Sequence, residues 1–326
     1  MWNIKTLVKI EGKKVLLRTN YDVPLKNGRV LDSTRIKESL PTIKYLLDRK
    51  AKIIIISHLG RPEGKKVPGL SLEPAAEELR RLLGANSSKN ILLAENLRFD
   101  PGEEANDKKF AQKLSLLGDF FVNEAFAASH REHASIVGVP KFFPPDRKAL
   151  GFEFSKEIEA LTRVREKPAR PLVLLLGGVK EDKIESAKKL IAWADWVLLG
   201  GKLVEYDGVP ELLNHHKVIG RLVKSGQDIT PETIDEFKKV IDMAKTIVWA
   251  GPMGNFYDEK YLAGTKAIAE AVVGSGAFTV VGGGDTEAAL TRFGLTKKIS
   301  FISSGGGAML AFLSKGDLPG LRALRE

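Results

Sequence analysis

Asn20-Tyr21-Asp22, His58-Leu59-Gly60-Arg61, Asn96-Leu97-Arg98 and the stretch from Glu124 through His130-Arg131-Glu132-His133 each follow directly on a short apolar run. Three arginines and three of the chain's five histidines lie in these four tails. Arginine offers a planar fork of donors matched to phosphate and carboxylate, and histidine adds a donor that can gain charge. The matching ligand is a small, acidic, phosphorylated molecule. Any one of these residues could be an ordinary solvated loop residue; the recurrence at four strand ends carries the reading.

The second half of the chain repeats the arrangement with glycine in place of charge. Gly177-Gly178-Val179-Lys180, Gly200-Gly201, Gly251-Pro252-Met253-Gly254, Gly282-Gly283-Gly284-Asp285-Thr286 and Gly305-Gly306-Gly307 each close an apolar run. Without side chains, backbone N–H groups can approach phosphate closely, and a following helix adds its positive end. This is the chemistry of a nucleotide site. The pattern G-x-x-x-x-G-K-[ST] is absent and no intact G-x-G-x-x-G follows a strand, which argues against P-loop and ordinary dinucleotide-binding enzymes. Asp285 could cap its helix or hold Mg²⁺ through oxygen.

Positioning these residues requires elements with one common rim. Buried parallel strands are predicted at Lys14–Thr19, Lys52–Ser57, Ile91–Glu95 and Phe120–Asn123, then at Leu172–Leu176, Trp196–Leu199, Thr246–Trp249, Phe278–Val281 and Ile299–Ser303. Helices with start signals lie between them, such as Leu72–Leu83 after Ser71 and Ile234–Ala244 after Thr230-Pro231. Four strands and then five, alternating with helices, predict an α/β chain with two parallel sheets. Gly151–Lys167, with Pro168 and Pro171 behind it, reads as a helical connector between the halves.

A chain of 326 residues exceeds what one core usually supports, so two domains are expected. Cysteine is absent, which removes disulfides, thiolate metal sites and cysteine nucleophiles. No apolar run is long enough to span a membrane and the start lacks a signal-peptide core, so a cytoplasmic location is expected. The net charge of +10 is uneven: residues 1–150 hold 27 Lys and Arg against 18 Asp and Glu, residues 151–326 hold 24 against 23. No basic run with interleaved aromatics appears, so a small polyanion explains the basic half at least as well as nucleic acid.

At this point the motifs form a set. Val15–Leu25 with Asp32-Ser33-Thr34-Arg35-Ile36, Ser57–Pro62, Glu95–Phe99 and His130-Arg131 resemble the substrate-lobe signatures of the phosphoglycerate kinase family. Gly177–Lys183, Trp249–Gly254, Gly282–Thr286 and Ser304–Gly307 resemble its nucleotide-lobe signatures, in the same order. The resemblance implies two Rossmann-like lobes, 1–152 for phosphoglycerate and 171–326 for nucleotide. A hinge helix over 153–170 would join them, with a cleft between the lobes, hinge closure, and a terminal segment returning toward the first lobe. It implies that Asn20, Asp22, Arg35, His58, Arg61, Arg98, His130 and Arg131 bind 3-phosphoglycerate or 1,3-bisphosphoglycerate. It further implies that Gly177, Gly178, Lys180, Lys183, Gly200, Gly201, Pro252, Gly254, Asp258 and Gly283–Thr286 bind ADP or ATP. Asp285 would serve Mg²⁺, and Arg35, Lys180, Gly284 and Gly307 would face the transferring group. A monomer acting on small molecules, with neither nucleic acid nor membrane as partner, is the corresponding expectation.

Several positions depart from the family pattern. Its Asp-x-Asn after the first strand reads Asn20-Tyr21-Asp22, Lys180 and Lys183 stand three apart where four is usual, Ala250 replaces an Asn, and Tyr257 replaces a Glu with Asp258 beside it. The chain is also several tens of residues shorter than usual members, mainly after Gly84 and between Lys202 and Gln227. An active phosphotransferase is the leading reading. A non-catalytic relative acting as sensor or scaffold is the alternative that these substitutions motivate, and a nucleic-acid-binding protein is the third.

Overall fold

The computed structural model describes residues 3–84, 87–179, 182–206, 209 and 217–326. The chain divides into two compact units, one of residues 1–159 with 317–326 and the other of residues 160–316.

The first unit is built on β1 (Lys14–Arg18), β4 (Lys52–Ile56), β5 (Ile91–Leu93), β6 (Phe120–Asn123) and β7 (Lys148–Leu150), all parallel, in the order β5-β4-β1-β6-β7. Between β1 and β4 a small antiparallel hairpin of β2 (Leu25–Lys26) and β3 (Arg29–Val30) turns at Asn27 and Gly28. Both turn residues have positive φ, 51° and 70°, the conformation a tight two-residue hairpin demands. Helices α1 (Thr34–Glu38), α2 (Leu40–Asp48), α3 (Glu73–Leu83), α4 (Pro101–Glu104) and α5 (Lys108–Ser115) lie between the strands. Val15, Leu17, Ile53, Ile55 and Val122 of the sheet share one core with Ile43 and Leu46 of α2 and Leu79 of α3.

The unit division falls inside α6 (Phe152–Glu166). The second unit then forms a parallel sheet of β8 (Leu172–Leu176), β9 (Trp196–Leu199), β10 (Lys217–Ile219), β11 (Thr246–Ala250), β12 (Phe278–Gly282) and β13 (Phe301–Ser303), in the order β10-β9-β8-β11-β12-β13. Every residue of β8 and β11 is buried, as expected of strands covered on both faces. The helices are α7 (Asp182–Leu190), α8 (Pro231–Met243), α9 (Ala263–Gly274), α10 (Gly284–Arg292) and α11 (Gly306–Lys315). Fully buried Trp249 packs in a core with Phe237 and Ile241 of α8 and Ile268 of α9. The chain ends with α12 (Pro319–Arg322) in the first unit, where the buried Lys148 ammonium donates to the carbonyls of Pro140 and Ala323, each at 3.2 Å.

The predicted α/β architecture with two parallel sheets is present, with corrections. Each sheet has one strand more than expected, β7 and β10, both three residues long and at an edge. Such short runs carry too little apolar pattern to stand out in a sequence. β13 begins at Phe301 rather than Ile299, because Thr296–Lys298 forms a turn of 3₁₀ helix and Ile299 caps it. Among the described residues no helix is long and apolar enough to cross a membrane.

Glu124 ties α6 to the first sheet. The residue follows β6 and was read above as part of a ligand-facing tail, but its carboxylate turns to α6 instead, accepting from Phe154 N at 3.2 Å, Glu153 N at 3.3 Å and the Thr42 hydroxyl. A side chain at Gly151 would collide with it. Burial pushes the Glu124 carboxyl up to about 7. The unfolded chain ionises this group near its ordinary value of 4.5, so its contribution to stability is complete below that pH and is lost as pH rises toward 7. The full loss is about 3 kcal/mol. Glu124→Gln removes this decline: in urea unfolding followed by circular dichroism, the variant gains on the wild type by about that amount between pH 5 and pH 8. Parallel curves across that range would show Glu124 already ionised in the folded chain.

Candidate active site

In the first sheet the chain proceeds from β1 outward to β4 and β5 on one side, then to β6 and β7 on the other. Connections that leave neighbouring strands toward opposite sides open a crevice at the carboxyl edge, the usual place for a ligand. The loops there are cross-braced. Ser57 Oγ accepts from Tyr21 N at 2.8 Å and donates to Thr19 O, and the Tyr21 hydroxyl meets Ser39 Oγ at 2.8 Å. Asn96 accepts from Leu59 N and Arg98 N and donates to Leu59 O and Leu70 O, joining the loops after β4 and β5.

These braces hold a crowd of cations. Arg98 donates to Gly60 O at 2.7 Å and pairs with Glu104 at 3.1 Å, yet its Nη2 is buried without a hydrogen-bond partner. Arg35, on α1, donates to Asp22 O and lies 3.8 Å from its carboxylate, while Asp22 Oδ1 accepts from Gly60 N at 2.9 Å. Arg131 Nε lies 3.4 Å from His130 Nε2. His58 is buried, and burial together with Arg18, Arg98 and Arg131 holds its pKa well below the ordinary value. Burial and then the same three arginines bring His133 down to about 3. The structure therefore joins Asp22, Arg35 and Arg98 through Gly60, and sets His58 among the arginines. Asn20 is half-buried just after β1, and Arg61 is exposed in the loop that carries His58. A buried guanidinium donor with no acceptor, coupled to two imidazoles that resist charging, suits an oxyanion.

In the second sheet the direction of progression changes between β8 and β11. Here the structure corrects the expected use of glycine. Gly177 N donates to Ala250 O, Gly178 N to Pro252 O, Gly200 N to Leu176 O and Gly201 N to Met253 O, so these amides are committed within the protein. A Cβ at Gly177 would strike Pro252 O, one at Gly201 would lie 2.6 Å from Gly178 N, and one at Gly254 would strike Asp228. These glycines let three strand-end loops close-pack backbone against backbone. Lys183 Nζ turns back onto Gly177 O at 2.7 Å and Ala250 O at 3.3 Å. Lys180 lies outside the described residues.

Where α10 and α11 begin, the surroundings are open at Gly283 but close at Gly306, where a side chain would lie 2.9 Å from Gly282 O. At Gly283, with φ 106°, a side chain would come no closer than 3.8 Å to any neighbour, the nearest being the Cα of Gly306 and Thr286 Oγ1. Two helix N-termini therefore sit side by side, with Gly284 and Asp285 in the first turn of one and Gly306 and Gly307 in the first turn of the other. Amides in a first turn have no intrahelical acceptor, and their partial positive charge favours phosphate. The Thr286 hydroxyl accepts from Gly251 N at 2.7 Å and so fastens α10 to the end of β11. Asp258 caps a short helical turn by accepting from Lys260 N, while the Tyr257 hydroxyl reaches Asp285 Oδ1 at 3.4 Å.

The family model for phosphoglycerate kinase matches residues 4–206 and 213–316. The chain belongs to the phosphoglycerate kinase family. It is 40% identical to the phosphoglycerate kinase of Thermomicrobium roseum and 40% identical to that of Moorella thermoacetica, each alignment covering 98% of both chains. Among solved structures it resembles the phosphoglycerate kinase of Coxiella burnetii, with TM-score 0.82, 32% identity, and 99% of this chain and 98% of that chain covered. The enzyme of Pyrococcus horikoshii superposes with TM-score 0.84 at 28% identity, covering 100% of this chain and 98% of that one. Both the resemblance read from the motifs and the two-sheet fold are borne out. The alignment with the Thermomicrobium protein runs over 387 positions against a chain of 326 residues, so this family member lacks tens of positions its relative has.

Three residues of the first site escaped the sequence reading: Arg18, Glu103 and Ser135. Arg18 left a faint signal, a charge closing the apolar run Val15-Leu16-Leu17. Glu103 and Ser135 left none, because only folding brings them to β1.

The depressed histidines set a pH dependence. Below pH 6.5 the unfolded chain binds protons that His58 and His133 refuse in the folded state. Their contribution to stability is complete above that pH and is lost as pH falls toward 3. His133→Gln is expected to lose less stability than the wild type between pH 7 and pH 5 in thermal unfolding. An equal loss would mean that His133 is protonated in the folded protein.

Proposed function

We propose that the chain catalyses reversible phosphoryl transfer from 1,3-bisphosphoglycerate to Mg-ADP, giving 3-phosphoglycerate and ATP. The observation that carries the reading is the buried, unpartnered donor of Arg98 among Arg18, Arg131, His58 and His133, a ready acceptor site for a phosphorylated acid. Residues 1–152 bind phosphoglycerate and residues 171–326 the nucleotide, and 153–170 link them. The ligand phosphate and carboxylate engage Arg35, His58, Arg61, Arg98, His130 and Arg131, with Asn20 and Asp22 bordering them. Asp22 orients Arg35 and the Gly60 loop.

The nucleotide phosphates lie at the starts of α10 and α11, near Gly284 and Gly307, with Lys180 and Lys183 supplying positive charge. Gly177, Gly178, Gly200 and Gly201 contribute a flat, side-chain-free surface rather than N–H donors, since their amides are already engaged. Pro252, Gly254, Asp258 and Thr286 border the same rim. In the ATP-consuming direction the substrate carboxylate is itself the nucleophile, so neither an enzyme-bound intermediate nor a dedicated general base is needed. Arg35 and Lys180 offset the charge on the transferring group in the transition state.

No group of three or more His, Cys, Asp or Glu that could cage a metal exists among the described residues. One exposed carboxylate, Asp285 in the first turn of α10, fits an ion that takes most of its ligands from water and phosphate, which is how Mg²⁺ is commonly held. When bound, Mg²⁺ would neutralise phosphate charge. The enzyme acts as a cytoplasmic monomer on small molecules, with no nucleic acid as partner.

Steady-state rates with 3-phosphoglycerate, ATP and Mg²⁺ test the reading, followed by GTP in place of ATP. Arg98→Met is expected to raise KM for 3-phosphoglycerate by about 10- to 100-fold, the value of a charge-assisted hydrogen bond, with KM for ATP nearly unchanged. Turnover no greater than background, or equal loss for both substrates, would overturn it.

A further inference from the structure

Arg18 is fully buried at the last position of β1 and its guanidinium has four neighbours. Nε donates to Ser135 Oγ at 2.7 Å, Nη1 donates to Thr19 O, and Nη2 lies 3.2 Å from His58 Nδ1 and 3.7 Å from Glu103 Oε1. Glu103 is equally buried; its Oε2 accepts from Ser135 N at 2.9 Å and its Oε1 from Ser135 Oγ at 2.6 Å.

The direction of every proton in this chain follows from what each group can do. The Ser135 hydroxyl has one proton and gives it to Glu103, so a lone pair faces Arg18. A guanidinium has donors only. The nitrogen of His58 that faces Arg18 must therefore carry a lone pair, and in a neutral ring the proton then resides on Nε2. No reversed arrangement exists, since Arg18 can accept nothing.

Resting on the functional reading above, we infer that Arg18 is a positioning residue for the phosphoglycerate site: oriented by Ser135 and Glu103, it fixes His58 in the Nε2–H tautomer as a neutral donor for a ligand oxyanion. Charging His58 would set an imidazolium against the guanidinium, and burial with Arg18 opposes that charge. The donor is thus available with no protonation step. Arg18 acts only through His58.

The test is nitrogen-15 spectroscopy of the full chain labelled in its histidine rings, with the His58 signals assigned by their loss in His58→Gln. In the wild type at pH 7 the expected pattern is a bare Nδ1 and a protonated Nε2. Ser135→Ala removes the acceptor that orients Arg18, and Arg18→Lys keeps the charge but removes the fork. Each is expected to give a mixed tautomer and about a tenfold rise in KM for 3-phosphoglycerate, with kcat less affected. Circular dichroism of Ser135→Ala checks that the variant folds. A wild-type ring protonated on Nδ1 or on both nitrogens would overturn the inference, as would His58 signals unmoved by both variants. The expected tautomer in a protein with no turnover would instead remove the functional reading and leave the proton arrangement standing.

Discussion

One buried carboxylate ties the end of β1 to the segment that carries Ser135. Glu103 has no exposed surface, and removing a carboxylate from water costs several kcal/mol unless its lone pairs are met. They are met by the amide and hydroxyl of Ser135, with the guanidinium of Arg18 at ion-pair distance and His133 Nδ1 at 3.9 Å. Arg18, itself brought down to about 10 by burial, thereby has a counter-charge, and His58 a fixed neighbour. Arg98 and Arg131 then exceed what Glu103 and Glu104 can balance. The surplus of cationic donors, held rigid in a crevice, is what remains for a ligand.

The second unit is built at its strand ends by the opposite route. Its strand ends are rich in glycine, and the loops after β8, β9 and β11 interlock through amide-to-carbonyl bonds so closely that a Cβ at Gly177, Gly201 or Gly251 would collide with backbone. Beside that packing, the first amides of α10 and α11 have no intrahelical acceptor. Thr286 and Arg292 stiffen the surroundings, the first by accepting from Gly251 N and the second by binding Phe256 O and Glu259. Positive charge here comes from dipoles in fixed positions, whereas in the first unit it comes from side chains braced by other side chains.

The difference explains what could be read from the sequence. The central strands were legible because a strand covered on both faces is a continuous apolar run, as in Leu172–Leu176, while β7 and β10 were too short to show. The strand-end arginines and histidines were legible as types in a repeated position. Their orientation was not: that Asp22 braces Arg35 and Gly60, or that Glu124 faces α6 and not a ligand, depends on partners distant in the chain. Glycines misled in a specific way. Their recurrence marked the strand ends, but a glycine needed for close backbone packing and one needed for phosphate approach look identical in sequence, and the structure shows the amides of Gly177, Gly178, Gly200 and Gly201 committed to packing.

The arrangement around Arg18 also argues against a purely structural origin for the cluster. A core position at the end of β1 filled by an aliphatic residue would need neither Glu103 nor Ser135, and replacing a buried ion pair by apolar side chains of similar volume is often neutral or stabilising. The chain instead keeps two ionised groups out of water and leaves Arg98 Nη2 unsatisfied and two histidines resistant to charging. Each of those features disfavours the folded state on its own. On the functional reading proposed above, an arriving oxyanion would supply the missing acceptor for Arg98 and a partner for His58 Nε2. Sites where local rules of packing are broken in concert are where function is expected to reside.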